Sequence, residues 1–142
     1  MDIVVKNYQR RYRLNKNKVR RFINVLAERC RVDADEVSVV FVNDRRMAIL
    51  NRQFTGRQGS TDVLSFQGEK DPCEKKTYLG DIVISTERAE AQARDRETDT
   101  AQELKLLLIH GFLHLLGYDH GPGQRQMRRL EQAIFSETDI DL

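Results

Sequence analysis

Three histidines, His110, His114 and His120, fall within eleven residues, in the segment HGFLHLLGYDH. The first two are four positions apart, so on a helix their side chains stack one turn above the other on one face. Gly117 lets the chain leave that helix and swing back, which allows His120 to reach the same point in space. Three imidazoles plus one open position describe a catalytic zinc site; a structural site would want a fourth protein ligand, and no cysteine stands nearby. Without a metal, two polar rings would be buried in a strongly apolar helix, which costs energy unless something pairs them. The expectation is therefore one zinc ion per chain, held by His110, His114 and His120.

The spacing H-x3-H-x5-H, with a glycine between the second and third histidine, coincides with the metzincin zinc pattern HExxHxxGxxH in four places. In that pattern a glutamate follows the first histidine and acts as general base. Here the position is Gly111, expected on the helix turn facing the metal's open side. Peptide hydrolysis would lose the group that activates water and protonates the leaving amine. Phosphodiester cleavage makes a gentler demand, since a metal that acidifies water or polarises a phosphoryl oxygen can suffice. A metalloprotease is the alternative that the spacing favours and Gly111 disfavours.

The charge distribution bears on the substrate. Residues 1–57 hold 14 Lys and Arg against 6 Asp and Glu, whereas residues 58–142 hold 10 against 16, so a net charge of +2 conceals a balance of +8 and −6. From Lys6 to Arg21 there are eight basic residues and no acidic one, with Tyr8 and Tyr12 interleaved. Arginine makes up 17 of the 24 basic residues, which suits bidentate phosphate contacts. Such a half reads as a footprint for a polyanion, of which nucleic acid is the commonest, or as a solvated face that keeps the chain in solution.

The elements that must position these groups follow from periodicity. Asp2 to Lys6, Glu36 to Asn43, Asp62 to Gln67 and Tyr78 to Ser85 read as strands. Val19, Phe22, Ile23, Leu26 and Cys30 form the stripe of an amphipathic helix capped by Asn15 or Asn17. Asp44 caps a second helix with Met47, Leu50, Asn51 and Phe54 on one side, and Ser85 or Thr86 caps a polar third one. Thr100-x-x-Glu103 is a capping box before a helix, Ala101 to Leu116, that is apolar almost all round and hence central. Met127, Leu130 and Ile134 mark a last helix, and the polar stretch from Gly68 to Lys76 a mobile loop. The fold expected is α/β (α+β), a small mixed four-stranded sheet packed by helices around a buried central helix that carries the metal ligands.

At 142 residues, 39% hydrophobic and 32% charged, the chain suits one domain over residues 1–142. No apolar run approaches the roughly 18 residues of a membrane span, and no secretory signal is expected at the N-terminus. Cys30 and Cys73 lie 43 positions apart without a CxxC pairing, which points to reduced thiols in a cytosolic protein.

From about Val37 to Ile134 the chain resembles the YbeY family of bacterial single-strand-specific endoribonucleases, the rRNA maturation factors. The resemblance is carried by HGFLHLLGYDH (110–120), TDVLSF (61–66), LGDIVIS (79–85) and Leu50-Asn51. It implies that His110, His114 and His120 bind zinc. It also implies a function in 16S rRNA 3′-end processing and ribosome quality control in the cytoplasm, with rRNA and the ribosome or ribosomal proteins as partners. A ribosome-assembly factor with little intrinsic cleavage is a further alternative. The family has an arginine before the glycine of the loop after the second helix, where this chain has Thr55. Arg57, in the same loop, is assigned the phosphate-binding, catalytic role, against the alternative of a solvated charge. Asp119 is expected to hold a histidine ring nitrogen or to cap the turn, and Asp81 to be structural.

Overall fold

The computed structural model describes every residue except 70–72, 74, 120, 140 and 141. His120 and part of the expected mobile loop thus lie outside the described residues. The elements are β1 (Asp2–Asn7), α1 (Lys16–Arg29), β2 (Glu36–Val42), α2 (Asp44–Thr55), β3 (Val63–Gln67), β4 (Tyr78–Ser85), α3 (Thr86–Asp95), α4 (Thr100–Leu115) and α5 (Gln124–Glu137). The sheet has the order β1-β2-β4-β3, parallel except for β3, which runs antiparallel to β4 and forms one edge. This is the mixed four-stranded sheet expected from the sequence.

Strand side chains alternate between faces, and both faces of the central strands are apolar. Val37, Val39 and Phe41 of β2 join Ile82 and Ile84 of β4 in the main core with α1 and α4. Val42 and Val83 point the other way and meet Met47 of α2, with Leu50, Leu64 and Phe66 packed around them. The helices therefore sit on opposite faces, α4 on one and α2 on the other. Leu104, Leu108, Ile109, Phe112 and Leu113 of α4 are all buried, as an all-round apolar helix requires.

Two of the expected caps shift by one residue. Asn15 and Ser85 cap α1 and α3 as anticipated, but α2 is capped by Asn43, whose side chain accepts from the Arg46 amide at 2.8 Å. The Asp44 carboxylate is drawn away to Ser60, to Ser85 at 3.1 Å and to Arg88 at 3.5 Å, tying the loop after α2 to α3. The start of α4 is capped by Asp99, which accepts from the Gln102 amide at 2.8 Å. Glu103 does not return to the cap; it is buried and accepts from Arg96 at 3.1 Å. A longer-range tie holds α5. Lys105 of α4 is buried and donates to the carbonyls of Phe135 (2.8 Å) and Thr138, neutralising the negative end of α5. Among the described residues no helix is long and apolar enough to cross a membrane.

Candidate metal centre and groove

The i, i+4 spacing on α4 brings His110 and His114 together: their Nε2 atoms stand 3.0 Å apart and the rings meet edge to face. The second ring nitrogen of His110 is engaged from behind, Nδ1 lying 2.8 Å from Oε1 of Glu131 on α5. A carboxylate can only accept, so the proton sits on Nδ1 and the lone pair on Nε2, the tautomer a metal ligand requires. Two imidazole nitrogens bound tetrahedrally at zinc distances stand about 3.3 Å apart. The observed pair, at 3.0 Å, needs only a small opening to admit such an ion. The donor chemistry and its outer support thus fit zinc. Among the described residues no three His, Cys, Asp or Glu side chains are grouped so that they could hold a metal ion, and the third expected ligand, His120, lies outside them.

Both histidines open onto a groove of about 900 Å³ that wraps around the edge strand β3, and its lining includes Ser65, Phe66, Arg57 and Asp119. Arg57, assigned to phosphate from the sequence, is thus brought to the same groove. Its loop is held by Asn51, which is buried and donates through Nδ2 to the Gly59 carbonyl at 3.0 Å. Thr55 serves the same loop: its hydroxyl lies 2.6 Å from the Asn51 carbonyl and 2.9 Å from Asn51 Oδ1. The position that departs from the family pattern therefore has a local structural duty. Gly56 adopts φ 74°, the left-handed turn that swings the chain from α2 towards Arg57.

Family and fold comparisons agree with this architecture. The model of the family described as Endoribonuclease YbeY matches residues 4–139. The chain belongs to the YbeY endoribonuclease family. Among YbeY relatives, that of Persephonella marina is 37% identical over 127 residues, covering 89% of this chain and 80% of its own. That of Thermodesulfovibrio yellowstonii is 41% identical over 103 residues, covering 70% of this chain and 65% of its own. The solution structure of TM1509 from Thermotoga maritima superposes with a TM-score of 0.66 at 25% identity, over 95% of this chain and 87% of that one.

Within this YbeY chain the structure corrects the expectation, drawn from the metzincin pattern, that position 111 faces the metal's open side. Gly111 does not face the groove. A Cβ placed on it would stand 2.7 Å from Ile82 Cγ2, 3.2 Å from Ser65 Oγ and 3.3 Å from Val63 Cγ2, so the residue faces the sheet. Its carbonyl also accepts from Ser65 Oγ at 3.0 Å. The glycine is there for close approach of α4 to β3 and β4, and no glutamate could stand there as a base.

Glu131 is the functional residue that sequence reading missed. The available signal was its spacing: it lies four residues after buried Met127 and three before buried Ile134, an acid on the apolar face of an amphipathic helix. The segment from Lys6 to Arg21 does not reach the site. It follows β1, at the opposite edge of the sheet from β3, and lines no part of the groove. Within it Arg11 pairs with Glu90 at 3.0 Å and Arg20 donates to the Ile3 carbonyl at 3.2 Å.

Proposed function

We propose that this chain is a zinc-dependent endoribonuclease of single-stranded RNA, acting in the cytoplasm in 16S rRNA 3′-end maturation and ribosome quality control. One observation carries the reading: two imidazole nitrogens meet at 3.0 Å in the groove that Arg57 also lines, backed by a carboxylate on one ring. His110, His114 and His120 would hold the ion, which when bound supplies Lewis acidity towards a phosphoryl oxygen. Arg57 offers a guanidinium to a bridging phosphate and to the charge that builds on phosphorus during cleavage. Glu131 keeps the His110 ring and its tautomer in place. Position 111 contributes no proton, because it is packed against the sheet.

Purified protein is expected to cut single-stranded RNA, to lose that activity with a chelator and regain it with zinc, and to leave casein intact. Casein hydrolysis without RNA cleavage would replace the reading by a metalloprotease, and RNA binding without cleavage by an assembly factor.

A further inference from the structure

Outside the groove, the outer face of α2 carries an exposed cluster of positive charge. Arg45, Ile49 and Arg52 are spaced i, i+4, i+7 and form one exposed stripe, opposite buried Met47 and Asn51. None of Arg45, Arg46, Arg52 and Arg57 pairs with a carboxylate among the described residues, unlike Arg11, Arg29, Arg88 and Arg96. The one acid of the helix, Asp44, is already engaged by Ser60, Ser85 and Arg88. Exposed aromatic rings flank the two ends. Tyr8, 54% exposed, lies beneath the Arg46 guanidinium at 5.3 Å, and Phe54, 58% exposed, packs at 5.1 Å against Phe66 of the groove wall.

We infer that this face of α2 is the track along which single-stranded RNA enters the groove, its phosphates on Arg45 and Arg52, with a base on Phe54 where the strand turns over the C-terminal end of the helix to the groove wall. The inference rests on the endoribonuclease reading and adds the path of the substrate. Unpaired guanidinium groups on a surface with no available carboxylate complement a polyanion. Exposed aromatic rings beside them suit unstacked bases, which a duplex would not present. The helix is 12 residues, about 18 Å, long and ends at the loop that carries Arg57 into the groove, so a strand bound along it is delivered to the histidines. The denser basic run from Lys6 to Arg21 touches α2 only at its N-terminal end, where Tyr8 and Arg10 lie beside Asn43, and from Arg13 onwards it lines a separate surface and leads to no such site.

The test is fluorescence anisotropy of a labelled oligouridylate with the full chain across a potassium chloride series, with a chelator present to prevent cleavage. Each phosphate contact on a single strand contributes roughly 0.7 to the slope of log K against log salt. Arg45→Gln/Arg52→Gln should therefore flatten the slope by about 1.4, while Arg13→Gln/Lys16→Gln, on a separate surface, leaves it unchanged. Phe54→Ala should weaken binding about fivefold or more with the slope intact, because stacking releases no counterions. All substituted side chains are exposed or lie at the surface, and an unchanged melting temperature checks the fold. An unaltered slope in the α2 variant, or a loss confined to the Arg13 and Lys16 variant, overturns the track while leaving the endoribonuclease reading standing. Failure of the unmodified chain to bind the RNA at all overturns both.

Discussion

Gly111→Ala separates two opposed effects whose sizes the structure sets. In the middle of α4 an alanine gains about 0.5–1 kcal/mol over glycine, from reduced backbone entropy in the unfolded chain and better helix propensity. Against this, the new methyl would stand 2.7 Å from Ile82 Cγ2 and 3.3 Å from Val63 Cγ2. Both are β-branched methyls on strands of the sheet, and Ile82 is fully buried on central β4, so neither can swing aside as the end of a long side chain would. Overpacking of this kind costs about 1–3 kcal/mol, which outweighs the helix gain at its central value and leaves a net loss of about 1 kcal/mol, at most about 2.5 kcal/mol. For a domain of this size that corresponds to a melting temperature lower by about 3 °C, and by about 8 °C at the upper end. Reversible thermal unfolding followed by circular dichroism, on metal-free protein, measures it directly. An alanine variant as stable as the parent would show that propensity dominates and that α4 does not need the glycine to approach the sheet. Gly111→Glu should fail to fold stably, since its carboxylate would be buried against Ile82 and Val63 without a partner.

Three other outcomes are expected. Elemental analysis should find one zinc per chain, lost in His114→Ala, because the remaining imidazoles cannot close the site; full occupancy in that variant would refute the assignment. Glu131→Gln should weaken zinc binding about 10- to 100-fold in competition with a chromophoric chelator while Glu131→Asp recovers part of the loss; equal affinity of all three proteins would show that the carboxylate does not orient His110. The Tyr78 hydroxyl is pushed up to about 12 by burial and by its hydrogen bond to Asp81. The folded chain then holds that proton more tightly than the unfolded chain, so its contribution to stability is complete below about pH 10 and lost as pH rises towards 12. Tyr78→Phe should flatten that stretch of the stability–pH curve, and an identical curve would refute the link.

Local regularities determined much of this protein before any folding is considered. The unbroken apolar character of residues 104–116 makes α4 the central helix, and the i, i+4 interval alone places His110 and His114 on one face of it. Gly117, at φ 98°, ends that helix in the left-handed conformation that its position implied. The β-branched runs mark the strands for the same reason, since a strand's alternation is a property of neighbouring residues. Tertiary structure decided what each face meets. Glu131 reaches His110 because Lys105 and the apolar stripe of α5 dock that helix against α4. Gly111 acquires its purpose from Val63, Ser65 and Ile82 on two strands far away in sequence. Asp44 leaves its helix cap for Ser60, Ser85 and Arg88, and Asn43 takes the vacated role. The groove exists only because β3 is an edge strand, with α4 on one face of the sheet and α2 on the other. Periodicity fixes the direction of a side chain about its own helix or strand axis, whereas the partner it faces depends on how those elements pack. That packing is settled by the burial of all the apolar faces together.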